Sequence, residues 1–250
     1  MPLRRLCPTP LNFAALSIGA LSPDFGYYVG LFRPATYAHT LLGSVLVCIP
    51  AGLLSLVCFY FVRRPVWNLL PQPHRALLEP LVSKQVPVRF RELVLATISI
   101  LIGAWTHVVW DSFTHRSGWV VVNYPVLQEP VITLGSIELA PYYLLQHLST
   151  LVGVLVLVTA YYAWVRRGGS EVFFLFRHED RWRYASLASL FVLSAAIAIP
   201  LGASAAHGFE GYEAVRVFVF RAAVYGAASF TTLFVLLAIV STVIKKSAGN

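Results

Sequence analysis

Residues Gly103–His115 have the sequence GAWTHVVWDSFTH, in which a long apolar run ends in a group of polar side chains. On a helix, His107 and Asp111 stand four residues apart, and Thr114 and His115 follow one turn later on the same face. An imidazole and a carboxylate at this spacing can share one divalent ion. A buried His–Asp pair that only holds two helices together has the same spacing. The stretch therefore predicts either a metal site or a structural pair near a helix end.

The composition is that of an integral membrane protein. Of the 250 residues, 58% are hydrophobic and only 12% are charged, whereas about a quarter of a soluble domain is charged. The mean hydropathy is +0.71. The net charge of +8 does not indicate nucleic-acid binding, because the basic residues lie in loops between apolar runs. The three cysteines form no C-x-x-C or other ligand pattern. We therefore predict a single all-helical membrane domain over residues 1–250, with no nucleic-acid partner.

Apolar runs of about 20 residues, long enough to cross the hydrocarbon core, predict the membrane spans. They lie near residues 11–32, 40–62, 93–113, 141–165, 184–206 and 217–244. The first run is interrupted at Ser22-Pro23-Asp24, where proline lacks a donor N–H and disfavours helix in the residue before it. The sequence thus predicts a bundle of about six helical segments, the first broken at Pro23.

The Lys and Arg residues are divided unevenly between the two predicted sides of the membrane. Fifteen lie at the termini and in the two loops on one side, and three lie on the other side, Arg33, Arg116 and Arg216. Cytosolic loops carry the excess of positive charge, so both termini are predicted to be cytosolic. Four aromatic residues toward the other side are typical of an interfacial belt; they are Trp105, Trp110, Trp119 and Tyr124.

Several ionisable side chains inside or beside the spans all lie in the half away from the cytosol. They are Asp24, His39, His107, Asp111, His147 and Arg221. Such groups are expensive in lipid, so their gathering at one depth indicates a shared polar cavity. Two carboxylates with several imidazoles suit Zn, Mn or Fe. An ion pathway, which needs polar groups across the whole membrane, and hydrogen bonds that only pack helices are the alternatives.

Four motifs resemble a bacterial family of membrane proteins, domain of unknown function 4184. They are Ser22-Pro23-Asp24-Phe25, Ala38-His39-Thr40-Leu41-Leu42-Gly43, Gly103-x-x-x-His107-x-x-Trp110-Asp111-Ser112-Phe113-Thr114-His115 and Leu145-Gln146-His147-x-Ser149. The likeness covers nearly the whole chain. More remotely, the order P-D, H-T and H-x-x-x-D resembles membrane-bound metal-dependent hydrolases and the zinc-dependent phospholipase C group. The resemblance implies a multi-pass protein of the bacterial inner membrane.

Carried over to this chain, the resemblance implies Asp24, His39, His107 and Asp111 as metal ligands, with Zn expected before Mn or Fe. His115 would be a further ligand or an acid/base. Family members usually open with P-F-T-x-S-H before the Pro-Leu-Arg-Arg of residues 2–5, so an amino-terminal His ligand is missing. The H-x-x-x-E ligand pair of the phospholipase group has no match at His147. One or two ions are therefore expected rather than a full cluster of three.

The expected function is a membrane-embedded metal-dependent hydrolase of a phosphoester or lipid-linked substrate. Asp111 or Asp24 would bridge metal and water, and His115 would protonate the leaving group. Arg221 and His147 would contact the substrate anion or support the ligands. Membrane lipid is the expected partner. Because the chain has no G-x-S-x-G or other covalent motif, the competing class is a non-enzymatic transporter or assembly factor with a structural polar cluster.

Overall fold

The computed structural model describes residues 3–84, 89–134, 137–167 and 178–248, and they are almost entirely helical. The helices are α1 (Phe13–Leu21), α2 (Phe25–Tyr28), α3 (Phe32–Ala38), α4 (Leu41–Gly43), α5 (Ile49–Leu69), α6 (His74–Val82), α7 (Phe90–Thr114), α8 (Trp119–Asn123), α9 (Pro141–Arg167), α10 (Arg181–Ala206) and α11 (Gly211–Ala248). Two short strands, β1 (Ile132–Leu134) and β2 (Ile137–Leu139), pair antiparallel with Ile132 opposite Leu139. The predicted all-helical membrane architecture is confirmed.

Five helical stretches are long and apolar enough to cross a membrane. They are Leu41–Leu69, Phe90–Asn123, Pro141–Arg167, Arg181–Ala206 and Gly211–Ile244. The amino-terminal run has a different form, because α1 has only nine residues and gives way to a 3-10 turn, Ser22–Asp24, and then to the four-residue α2. Nine helical residues cover about 14 Å, roughly half the hydrocarbon thickness. The break predicted at Pro23 is present, and it leaves α1 too short to span alone.

The chain forms two compact units. The first comprises residues 1–23, 34–54 and 88–169, and the second comprises residues 24–33, 55–87 and 170–250. The boundary near the amino terminus falls inside the turn Ser22–Asp24.

Within the first unit, α1 packs against α7 with the two backbones almost in contact. A Cβ added at Gly103 would lie 2.2 Å from the Leu16 carbonyl oxygen, and one added at Gly19 would meet a carbonyl oxygen of α7 at the same distance. Only glycine permits such an approach. At the other end of α1, the Asn12 N–H donates to Ser99 Oγ of α7 at 2.9 Å. The position of α1 along α7 is therefore set at both of its ends.

A π-helical segment, Ser44–Cys48, joins α4 to α5 in the same unit. Thr40 caps the helix start, because its Oγ1 accepts the Gly43 N–H at 3.0 Å. Inside the segment, Ser44 Oγ accepts the indole N–H of Trp105 on α7 at 2.9 Å. Wide turns of this kind are rare and often occur beside functional sites. The segment ties the residues that follow His39 to the middle of α7.

In the second unit, α10 and α11 pack along each other, and a polar contact closes the amino-terminal end of α10. Asp180 is 2% exposed and accepts the Gln72 N–H at 2.9 Å as well as a guanidinium N–H of Arg183. Arg183 Nε donates to the Asn68 carbonyl at 3.1 Å. Burial alone would raise the pKa of Asp180, but the Gln72 N–H and the Arg183 charge hold it below its usual range. Because these groups satisfy one another, the contact is structural.

Candidate metal centre

The predicted His107–Asp111 pair lies at the carboxyl-terminal end of α7. The 25 residues of this helix extend for about 37 Å, somewhat more than the roughly 30 Å of the hydrocarbon core. Asp111 stands three residues before the end of α7, about one turn inside it. The pair therefore lies toward one end of this helix rather than at its centre.

Asp111 is the residue on which three imidazoles converge. Its Oδ2 lies 3.1 Å from His107 Nε2 and 3.4 Å from His39 Nε2. Its other oxygen, Oδ1, lies 3.5 Å from His115 Nδ1. The side chains of Asp111, His39 and His107 are about one-fifth exposed, whereas that of His115 is 47% exposed. Asp111 Oδ2 thus faces the two partly buried histidines, and Oδ1 faces His115, which is at the rim.

Backbone carbonyls determine which nitrogen of each inner histidine is protonated. His107 Nδ1 lies 2.8 Å from the Ala20 carbonyl oxygen, and His39 Nδ1 lies 2.8 Å from that of Ala35. A carbonyl oxygen can only accept, so both Nδ1 atoms donate. In the neutral imidazole Nε2 then carries a lone pair, and both lone pairs meet an oxygen of Asp111 that is also an acceptor. This arrangement is stable when a cation or an added proton lies between each Nε2 and the Asp111 oxygen. In metal-ligating histidines the ring nitrogen that does not bind the metal typically donates to a carbonyl, as Nδ1 does here.

The donor set within the first unit consists of His39, His107 and Asp111. Four ligands around zinc at bond lengths of about 2.0 to 2.1 Å stand about 3.3 to 3.4 Å apart. The distances from Asp111 Oδ2 to the two histidines, 3.1 and 3.4 Å, are close to this spacing. Two imidazole nitrogens and a carboxylate suit a divalent ion such as Zn, Mn or Fe. Asp24 belongs to the second unit, and its place among the ligands remains a prediction.

At the rim, His115 contacts residues of α7 and α9. Its Nδ1 lies 3.2 Å from Thr114 Oγ1, and Thr114 is 1% exposed. Its Nε2 lies 3.4 Å from the side-chain nitrogen of Gln146 on α9. The ring is 47% exposed, so a substrate that displaces Gln146 could exchange a proton with Nε2. Gln146 was not predicted as a site residue, although it lies beside His147 in one of the quoted motifs.

The two remaining predicted residues lie on α9 and α11. His147 is exposed on α9, where its Nδ1 bonds to the Tyr143 carbonyl of the same helix at 2.9 Å and its ring packs on that of Tyr143. Arg221 lies on α11 in the second unit and is half-buried. Their suggested roles toward a substrate or the ligands remain predictions.

The fold and the site are those of a multi-pass helical membrane protein in which three histidines surround Asp111 toward one end of a long apolar helix. The chain belongs to the family described as Domain of unknown function (DUF4184), whose model matches residues 1–246. This confirms the family resemblance indicated by the four sequence motifs. No curated protein and no solved structure is significantly similar to the chain. The likeness to metal-dependent hydrolases therefore rests on the order of the motifs.

Proposed function

We propose that this protein is a membrane-embedded metal-dependent hydrolase that cleaves a phosphoester or ester in a lipid or lipid-linked substrate. The observation that carries the proposal is the orientation of His39 and His107. Each donates Nδ1–H to a backbone carbonyl and turns Nε2 toward the same oxygen of Asp111. A purely structural His–Asp pair needs one imidazole that donates to the carboxylate. Two acceptor nitrogens on one carboxylate oxygen favour a shared cation.

Different residues of the chain would bind the ion and supply the proton for hydrolysis. Asp24, His39, His107 and Asp111 would hold the ion, which when bound would activate water and polarise the bond to be cleaved. The water oxygen would form the new bond to phosphorus or to the carbonyl carbon as the bond to the leaving oxygen breaks. His115, oriented by Asp111 at Nδ1, would give a proton to the leaving oxygen from Nε2. Its exposure at the rim leaves room for a substrate.

Metal content and metal-dependent hydrolysis test the proposal together. Protein purified in detergent without chelators is expected to contain one or two Zn, Mn or Fe ions per chain by elemental mass spectrometry. It should hydrolyse bis-p-nitrophenyl phosphate or a p-nitrophenyl ester, lose this activity on chelation, and regain it when the ion is restored. His107→Ala should lose both metal and activity, whereas His207→Ala, at an exposed histidine directly after α10, should keep the metal.

Two results would contradict this proposal. Metal-free wild-type protein would remove its basis and favour the competing class, a transporter or assembly factor with a structural cluster. Metal-loaded protein that hydrolyses neither probe nor vesicle lipids would show that the site binds metal but does not catalyse hydrolysis.

For the orientation, we infer that the candidate metal centre faces away from the cytosol, in the cytoplasmic membrane of a bacterium, and that both termini are cytosolic. The uneven distribution of Lys and Arg supports this inference. Ser117 is exposed just beyond the end of α7. A cysteine at this position should therefore react with a membrane-impermeant thiol reagent in intact cells. If Ser117→Cys reacts only after the cells are lysed, the centre faces the cytosol.

A further inference from the structure

The chain between α7 and α9 exposes an unusual amount of apolar surface for a loop. Between Ser117 and Thr133 the sequence has one charged residue, Glu129. Six large apolar side chains in this stretch are 44% to 69% exposed. They are Trp119, Val122, Tyr124, Val126, Val131 and Ile132. An apolar surface of this kind on a segment beyond the end of α7 requires an apolar partner.

This segment is folded, so its exposed surface is not that of an irregular chain. Val121 on α8 is fully buried, and its carbonyl accepts a side-chain N–H of Gln128 at 3.1 Å. A Cβ added at Gly118 would lie 2.7 Å from the Asp111 carbonyl oxygen, so α8 begins directly against the last turn of α7. One side of α8 thus packs inward while Trp119 and Val122 point outward.

The position of the segment in the chain identifies the partner. The apolar stretch Phe90–Asn123 continues through α8, but its long helix ends at Thr114 and α9 begins at Pro141. The segment therefore connects two long apolar helices, as a loop at a membrane boundary does. Its exposed surface is rich in tryptophan, tyrosine and branched aliphatic residues and poor in charge, a composition that favours the level of the lipid headgroups. In water these apolar side chains would remain hydrated, which is unfavourable. In the hydrocarbon core the backbone N–H and C=O groups of the loop would lack hydrogen-bond partners.

We propose that residues 119–132 form an interfacial anchor, which inserts Trp119, Val122 and Val126 among the lipids of the leaflet at the carboxyl-terminal end of α7. The anchor starts four residues after His115, so it holds the rim of the candidate metal centre at headgroup depth. At this depth the substrate is a membrane lipid whose ester or phosphoester lies at the headgroup level; this part of the inference rests on the proposed hydrolase function.

Spin labels in reconstituted vesicles test the anchor without any assay of activity. In a Cys7→Ser, Cys58→Ala background, single cysteines replace Val122 or Val126 and are labelled with a nitroxide; Cys48 is fully buried and stays in place. The labels should collide several-fold more often with oxygen, relative to a water-soluble nickel chelate, than the same label at Ser117. A label at Leu155, exposed on α9, supplies the membrane reference. Nickel access at Val122 and Val126 equal to that at Ser117 would overturn the anchor.

A second measurement tests the link to the substrate. The triple variant Trp119→Ser, Val122→Ser, Val126→Ser should lose hydrolysis of a fluorescent diacyl phospholipid in vesicles but keep its metal and its hydrolysis of water-soluble bis-p-nitrophenyl phosphate. Equal loss of both activities with metal retained would show that the segment does not select a lipid substrate. If wild-type protein hydrolyses neither probe, the hydrolase proposal fails while the spin-label result still decides the anchor.

Discussion

Replacing Asp111 by asparagine is expected to remove most of the bound metal. The carboxamide has nearly the shape of the carboxylate but lacks its charge, and the change affects the one residue that faces all three histidines. Loss of a group that merely supports a ligand costs about 10- to 100-fold in metal affinity, so loss of a ligand should cost at least that. Elemental mass spectrometry after dialysis, with Glu129→Gln as the exposed acidic control, measures the result.

Thermal unfolding of the same variant separates a ligand from a packing residue. Metal that binds only the folded state stabilises it by about 2.7 kcal/mol when present at 100 times the dissociation constant. Wild-type protein should therefore melt at a higher temperature with the ion than with chelator, and Asp111→Asn should lose this difference. A variant that is equally destabilised in both conditions would show that Asp111 holds helices together and does not bind metal.

Replacing Gly103 by alanine should weaken the metal site without altering any ligand. The new Cβ would lie 2.2 Å from the Leu16 carbonyl oxygen, which is backbone and cannot rotate away as a side chain could. Overpacking of this kind costs about 1 to 3 kcal/mol, occasionally more. Because α1 must move away from α7, the bond from His107 Nδ1 to the Ala20 carbonyl should lengthen or break. We expect a fall in metal affinity of about tenfold or more.

Gly153→Ala on α9 is the matched control for this variant, because nothing lies within 4 Å of the added Cβ. It should not destabilise the protein, because alanine favours a helix interior over glycine, and it should leave the metal affinity unchanged. Isothermal titration of the metal-depleted proteins with zinc, together with thermal unfolding, measures both. Wild-type affinity in a destabilised Gly103→Ala protein would mean that the close approach of α1 does not position His107.

The residues of the candidate metal centre could be predicted to different degrees. His107 and Asp111 stand four apart on one helix, so local geometry alone places them together. Asp24 and His39 lie in other segments, so their common depth in the predicted spans indicated a shared cavity and the motif resemblance implied a common metal site. The carbonyls of Ala20 and Ala35 could not have been found, because every residue has a carbonyl. Which one faces a histidine depends on how closely the helices pack.

The fold could be predicted wherever the length of a continuous apolar run determines the structure. Composition and run length were enough for the five long helices, because a continuous apolar run in lipid must satisfy its own backbone hydrogen bonds. The amino-terminal run contains a similar number of apolar residues, yet α1 stops after nine of them. Pro23 explains the break, but the short α1 depends on contacts with α7 that no local pattern encodes. Likewise, the apolar surface of residues 119–132 became evident only when Val121 was seen to be buried and its neighbours exposed.

The π-helical segment changes the phase of the helix in which it lies. An α-helix advances by about 100° per residue, and a turn closed by i to i+5 bonds contains one residue more than an α-turn. Residues before Ser44 are therefore rotated by about 100° from the direction that the periodicity of α5 would assign to them. The side of this helix that faces lipid is thus not continuous along its length. A heptad or 3.6-residue pattern fitted across Ser44–Cys48 would assign the residues on one side of the segment to the wrong face.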